Sequence, residues 1–148
     1  TRAFPCLHDE RYRHFDFWIG EWDVFVGENK VGENVITKQN GGCMLLEQYT
    51  TAGDYTGQST NFFDPNDGLW KQIWIDNTQG ISKYIEVDRQ PNYLQFIASA
   101  ESSPAKPVYR MTFELQEDTS VTQVIEQQDV EDETKWQVVF NGVYRRRL

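Results

Sequence analysis

Several residue types that common functional sites require are scarce in this sequence. Lysine and arginine together number 14 against 23 aspartates and glutamates, which gives a net charge of −9. Because nucleic acids are bound through clustered basic side chains, this balance argues against a nucleic-acid partner. The one basic run, residues 145–147, lies at the end of the chain and is interpreted as a solvated terminus.

Histidine and long apolar runs are also scarce. His8 and His14 stand six residues apart and have no metal-binding spacing, so we expect no metal site. Haem usually needs an axial histidine, and neither histidine falls in a predicted strand, so we expect no cofactor. No apolar stretch approaches the roughly 20 residues that span a bilayer, so we expect no membrane insertion.

The chain has two cysteines, Cys6 and Cys43. Cys6 lies in an irregular N-terminal segment, and Cys43 follows two glycines at the start of a predicted strand. A disulfide between them would tie this segment to the body of the fold and would indicate an oxidising compartment. The alternative is two unrelated buried thiols. Of the two, we expect the disulfide.

A strand pattern runs through most of the chain. Predicted strands lie at about residues 21–27, 31–38, 43–50, 58–64, 69–76, 81–88, 93–100, 108–116, 120–129 and 136–146. Turn signals separate them, such as a predicted hairpin turn at Asn29-Lys30 and the segment Pro65 to Gly68. Their spacing predicts an all-β fold, an antiparallel up-and-down β-barrel of eight to ten strands. No helical pattern exceeds two turns, which argues against an α/β fold.

The strands are preceded by a segment of about 20 residues that we expect to close one barrel end. It is predicted to contain a helical turn around Asp9 to His14 and a short turn of helix at residues 15–20. We expect residues 1–148 to form one domain. Aromatic residues make 14% of the chain. They are interpreted either as ordinary core residues of a β-protein or as the rigid lining of a cavity.

Motifs spaced over residues 6–146 carry a resemblance to a known family. They are Phe15-x-Phe17-Trp18-x-Gly20-x-Trp22, Gly42-Cys43-x-Leu45-x-Glu47, Asp64-Pro65-x-x-Gly68-x-Trp70-x-Gln72-x-Trp74-x-Asp76 and Tyr144-Arg145-Arg146. With these motifs the sequence resembles bacterial lipocalin-like, calycin-type β-barrels, among them exported proteins of unknown function. The resemblance implies a barrel with an interior pocket and a periplasmic or secreted location. It implies no particular reaction.

The resemblance also implies structural roles at the closed barrel end. The tryptophan of the Gly-x-Trp motif, here Gly20 and Trp22, is expected to pack beneath a basic side chain from the last strand. Arg145 and Arg146 are the candidates, and we favour Arg146. An arginine over an indole ring is a cation–π contact of about 1–2 kcal/mol when partly dry.

Alternation along predicted strands 3–5 indicates a candidate ligand site. Lys71 favours solvent, so the opposite face of strand 5 is expected to point inward. The residues expected to line the interior are Glu47, Tyr49, Asn61, Phe63, Trp70, Gln72 and Trp74. In the alternative, Ile73 and Ile75 form the core face and Gln72 and Asp76 are solvated.

The function predicted from these patterns is binding of a small, partly apolar molecule inside the barrel. One alternative is an enzyme of isomerase or cyclase type that uses a buried carboxylate, with Glu47, Asp76 and Tyr49 as catalytic candidates. Another alternative is a structural module whose interior is filled by its own aromatic side chains. The expected partner is a small-molecule ligand, and the protein is expected to be a monomer or a homodimer.

Overall fold

The computed structural model describes residues 3–98 and 108–147, and its strands form a closed antiparallel β-barrel. The ten strands are β1 Gly20–Val26, β2 Asn29–Gln39, β3 Met44–Thr50, β4 Thr56–Asp64, β5 Leu69–Asp76, β6 Ile81–Gln90, β7 Tyr93–Ala98, β8 Tyr109–Leu115, β9 Val121–Gln128 and β10 Trp136–Arg146. Each strand pairs with the next along the chain, and β10 pairs with β1 to close the barrel. This confirms the predicted antiparallel barrel.

The first hairpin turn lies two residues earlier than the sequence predicts. β2 begins at Asn29, so Asn29-Lys30 belongs to a strand and the turn is at residues 27–28. Gly27 adopts a φ of 60° there, a conformation that glycine accepts at little cost. The end of predicted strand 7, residues 99–100, and the predicted loop at residues 101–107 lie outside the described residues.

In the described part of the chain, four short 3₁₀ helices accompany the barrel: η1 Pro5–His8, η2 Glu10–Arg13, η3 Asp16–Trp18 and η4 Asn40–Gly42. Cys6 in η1 forms a disulfide with Cys43, which directly follows η4. The predicted disulfide is therefore confirmed, and it joins the N-terminal segment to the β2–β3 connection. No helix among the described residues is long and apolar enough to cross a membrane.

An aromatic plug, formed by Phe15, Phe17 and Trp18, fills one end of the barrel. The rings of Phe15 and Trp18 are stacked with centroids 4.7 Å apart, and neither residue is exposed to solvent. Phe113 of β8 and Trp70 of β5 pack edge-on against Phe15 at 5.1 and 5.7 Å. Aromatic pairs of this geometry stabilise a core beyond their buried area. The plug is therefore part of the hydrophobic core.

Trp22 lies beside the plug under an arginine of the last strand. The guanidinium of Arg146 lies 4.4 Å from the centre of the Trp22 ring, whereas Arg145 lies near Phe25. The indole N–H of Trp22 donates a hydrogen bond of 2.8 Å to the Trp18 carbonyl. Gly20 has a φ of 149°, and a Cβ there would lie 2.7 Å from the Arg146 Nη1 atom. Glycine at position 20 therefore leaves room for the arginine.

The two faces of β5 differ in burial as the sequence predicts. Trp70 and Gln72 face the interior and are almost completely buried, while Lys71 pairs with Asp64 outside. Ile73 and Ile75 are 37% and 55% exposed. The alternative in which these isoleucines form the core face is therefore wrong.

Candidate functional site

A cavity of about 430 Å³ occupies the barrel end opposite the plug. On β5, Trp70 packs against the plug, and Trp74 and Asp76 line the cavity four and six residues further along the strand. The aromatic side chains that form its walls come from β3, β5, β6, β8, β10 and the segment before β4: Tyr49, Tyr55, Trp74, Tyr84, Tyr109, Phe140 and Tyr144. Rigid rings therefore make up seven of the fifteen lining residues.

Glu47 of β3 is a buried carboxylate that lines this cavity. It is 4% exposed and accepts hydrogen bonds from Asn34 Nδ2 at 2.7 Å and from Ser59 Oγ at 2.5 Å. Burial raises the pKa of Glu47 from 4.5 to about 6, although these two hydrogen bonds favour the ionised form and act in the opposite direction. Glu47 can therefore exchange a proton near neutral pH.

Beyond Glu47, the polar side chains continue toward β10 and β9. Asn34 Nδ2 also donates to the Tyr144 hydroxyl at 2.9 Å, and that hydroxyl donates to Gln123 Oε1 at 3.0 Å. Burial raises the pKa of Tyr144 well above its usual value, so the phenol stays protonated. The buried Oδ1 atom of Asn34 has no hydrogen-bond partner among the described residues. One buried acceptor next to Glu47 is therefore unpaired within the described part of the chain.

On the other side of Glu47, the network runs into β4 and β5. Ser59 Oγ accepts a hydrogen bond of 2.8 Å from Asn61, and Asn61 Oδ1 accepts one of 2.7 Å from Gln72 Nε2. Asn61 is fully buried, and its amide also donates to the Leu45 carbonyl at 3.4 Å. Such mutual hydrogen bonds offset the cost of burying these groups, about 1–3 kcal/mol for each one left unpaired. Asn61 is therefore a member of the buried network.

Asp76 lies at the rim of the cavity, and its pKa is shifted in the direction opposite to that of Glu47. Its Oδ1 accepts hydrogen bonds from the Thr78 hydroxyl, the Thr78 N–H and the Gly80 N–H, and its Oδ2 accepts from Tyr55 and Trp74. These hydrogen bonds, the Thr78 hydroxyl first, hold the pKa of Asp76 well below its usual range. The two carboxyl groups of the cavity therefore have pKa values shifted in opposite directions.

The structure brings together only part of the site predicted from the sequence. Glu47, Tyr49, Gln72, Trp74 and Asp76 all line the cavity. The absence of a side chain at Gly57 on β4 leaves room for the Trp74 ring, because a Cβ at position 57 would overlap the indole. This close approach positions the Trp74 ring across β4.

Phe63 and Trp70 lie elsewhere, although both face inward as predicted. Phe63 packs 5.2 Å from Tyr12 and beneath the Arg11 guanidinium, and Trp70 packs on Phe15. Alternation identifies which side chains of a strand face inward, but it does not identify how far along the barrel axis each of them lies. The two side chains consequently belong to the core at the plugged end, not to the cavity wall.

Several cavity residues were missed by the sequence analysis. Tyr84, Tyr109, Gln123 and Tyr144 come from β6 and β8–β10, whereas the predicted site used strands 3–5 alone. The sequence did indicate them, because the alternation along their strands places these side chains on the inward face. Because the barrel is closed, β6 and β8–β10 face β3 across its interior, although they are not its neighbours in the sheet. Asn34 of β2 belongs to the buried network and not to the cavity wall. It was missed because a single asparagine in a strand carries no pattern of its own.

A second depression, of about 690 Å³, lies along β3–β5 and includes outward-facing residues such as Thr60, Ile73 and Ile75. Four members of the buried polar network, Glu47, Gln72, Gln123 and Tyr144, line the interior cavity, which is therefore the candidate site. Among residues 3–98 and 108–147, no group of three or more histidine, cysteine, aspartate or glutamate side chains is placed to hold a metal ion. The chemistry that the site offers is proton exchange, hydrogen bonding and contact with aromatic faces.

We expect the Glu47 carboxyl to titrate with a midpoint near pH 6 in the folded protein. Because its folded pKa exceeds the unfolded value of 4.5, protonation of Glu47 favours folding. This stabilisation is present below pH 4.5 and is lost as the pH rises through 6, a change of about 2 kcal/mol. Burial raises the pKa values of Tyr49, Tyr84 and Tyr144, so these phenols stay protonated over this range.

Carboxyl ¹³C NMR measures this midpoint, with Glu47→Gln to assign the resonance. Asp76 provides an internal control, because its carboxyl should stay ionised throughout the same titration. A Glu47 midpoint at or below 4.5 would contradict the expected effect of burial.

Comparison with known protein families found none that matches the chain, and a search of curated protein sequences also found no match.

Proposed function

We propose that this protein binds a small, partly apolar molecule inside the barrel cavity. The observation that carries the proposal is an aromatic cavity of about 430 Å³ in which a few polar groups converge. Sites for small molecules commonly combine apolar walls with a small number of polar groups that fix orientation. In the proposed site Trp74, Tyr84 and Tyr109 supply walls, and Glu47 and Gln72 supply the polar contacts.

The cavity favours binding over a purely structural role. A module filled by its own side chains has no need of a cavity of this size. Glu47 and Gln72 are paired inside the buried network, but both also border the open space of the cavity. A bound molecule or trapped water would occupy this space and use the hydrogen-bonding capacity that the two side chains retain.

Family, location and assembly form part of the proposal. We propose a single-domain protein of the lipocalin-like, calycin-type group of exported bacterial proteins, acting in the periplasm or outside the cell as a monomer or homodimer. The closed barrel supports the calycin type, and the disulfide supports an oxidising compartment. The acidic composition supports a role without nucleic acid.

A second candidate function is proton transfer to a bound substrate, of isomerase or cyclase type. The observation that favours it is the raised pKa of Glu47, about 6, because a general base works best when its pKa is near the ambient pH. Tyr49 would remain a protonated phenol close to Glu47, whereas Asp76 stays ionised and accepts hydrogen bonds at the rim. Turnover of a bound compound that Glu47→Gln abolishes, with binding retained, would distinguish an enzyme from a carrier.

We expect the neutral fluorescent probe N-phenyl-1-naphthylamine to bind the protein and to quench tryptophan emission. Trp74→Ala should weaken binding about tenfold, because loss of an aromatic contact of this size costs about 1–1.5 kcal/mol. Gln72→Leu should weaken it less, because the probe has only one N–H group. Fluorescence titration measures each affinity.

Trp136→Ala is the matched control for this experiment. Trp136 packs beneath Arg110 at 4.2 Å and is absent from the cavity wall, so its removal should leave probe affinity unchanged. Absence of binding to the folded protein, or equal losses in Trp74→Ala and Trp136→Ala, would refute the proposed site.

A further inference from the structure

The ionisable groups of the cavity carry charge of one sign. Among the described residues that line it, Glu47 and Asp76 are acidic, and none is lysine, arginine or histidine. Neither carboxylate has a salt-bridge partner within the described part of the chain, although other acidic residues do. A negative charge in a partly dry cavity is costly unless an opposite charge or several donors approach it.

The two carboxylates differ in how many hydrogen bonds they still accept. A carboxylate has about four acceptor positions. Asp76 already accepts five hydrogen bonds, counted above from Thr78, Gly80, Tyr55 and Trp74. Within the described ranges, Glu47 accepts two hydrogen bonds, one on each oxygen. Glu47 is therefore the carboxylate that retains capacity to accept hydrogen bonds from a ligand.

The aromatic walls of the cavity add a further feature. Tyrosine and tryptophan side chains line it together with Glu47, and the faces of such rings attract cations by about 0.5–2 kcal/mol. The walls therefore favour a ligand that brings positive charge to Glu47 together with N–H donors.

We propose that the ligand is a small organic amine bound as its cation, with the ammonium group donating to Glu47 and the apolar body against the tyrosine and tryptophan walls. This inference rests on the proposed binding function and names its ligand class. Asp76, whose acceptor positions are filled, adds negative potential at the entrance without a direct bond. An anion of the same shape would meet two carboxylates and no cation among the described lining residues.

Three ligands that share one indole group test the inference by isothermal titration calorimetry near neutral pH. Tryptamine carries an ammonium group, tryptophol a neutral hydroxyl, and indole-3-propionate a carboxylate. We expect tryptamine to bind at least about tenfold tighter than tryptophol, as charge-assisted hydrogen bonds are roughly twice as strong as neutral ones. Indole-3-propionate should bind weakest.

Glu47→Gln should lower tryptamine affinity about tenfold, to the level of tryptophol, and should leave tryptophol affinity within about twofold. Glu114→Gln is the matched control, because it removes the same charge from an exposed position on β8 and should change neither affinity. Near-UV circular dichroism checks that each variant is folded. If Glu47→Gln does not fold, the ranking of the three ligands on the unaltered protein still decides.

The outcomes separate this inference from the proposed function. Equal binding of tryptamine and tryptophol, or tighter binding of indole-3-propionate, overturns the amine proposal and leaves a cavity that binds neutral or anionic molecules. Failure of all three indoles together with failure of the neutral probe overturns the binding function itself. Loss of tryptamine affinity in Glu114→Gln as large as that in Glu47→Gln would assign the effect to net charge and also overturn the proposal.

Discussion

Trp22→Ala is expected to lower the free energy of unfolding by about 3–5 kcal/mol, as large aromatic truncations in cores do. Trp22 is fully buried, lies beneath the Arg146 guanidinium and donates a hydrogen bond to the Trp18 carbonyl. Its removal leaves a void beside the plug, an unpaired carbonyl and an arginine without its aromatic partner. All three losses fall at the seam where β1 meets β10, so the closure of the barrel is weakened.

Urea denaturation followed by far-UV circular dichroism measures this loss. Trp136→Ala is the control, because Trp136 is only partly buried and its ring packs beneath the Arg110 guanidinium. The control should cost about 1 kcal/mol or less. An unchanged unfolding midpoint for Trp22→Ala would mean that the Gly-x-Trp motif does not stabilise the barrel.

Replacing both cysteines with alanine is expected to lower the free energy of unfolding by about 3–4 kcal/mol. The disulfide closes a loop with a sequence separation of 37 residues, and the loss of this restraint increases the entropy of the unfolded chain. The bond also holds η1 against the residues that follow η4. The expected loss of stability is therefore similar in size to that of Trp22→Ala. It arises from the unfolded chain, whereas the loss in Trp22→Ala arises from the folded core.

Reduction of the unaltered protein provides the comparison for the double variant. A reductant should lower the unfolding midpoint of the native protein to that of Cys6→Ala/Cys43→Ala and should leave the double variant unaffected. Equal midpoints for the oxidised protein and the double variant would mean that the disulfide contributes no stability.

The architecture was predictable from the sequence because it depends on local patterns. Alternation of apolar and polar residues defined ten strands, and turn residues such as Pro65 and Gly68 separated them. Since consecutive strands joined by short turns pair with one another, the order of the barrel followed. The turn misplaced at Asn29-Lys30 shows the limit, because Gly27 and Asn29 both suit a hairpin and only the pairing of β1 with β2 selects between them.

The site was less predictable because it depends on how the barrel closes. The hydrogen bond between Asn34 and Tyr144 joins residues 110 positions apart. Strand alternation indicates that both side chains face inward, but not that they meet. Likewise Trp70 and Trp74 share one face of β5, and only the plug decides that the first lies in the core and the second lines the cavity.

The plug has a consequence for the rate at which a ligand would enter and leave. Because Phe15 and Trp18 fill one end of the barrel, a molecule must enter and leave the cavity through the other end. A side chain at the opening that does not touch the bound molecule then acts on the passage and not on the bound state. Enlarging it should slow arrival and departure by the same factor. The residence time would lengthen while the equilibrium between free and occupied barrels stayed as it was.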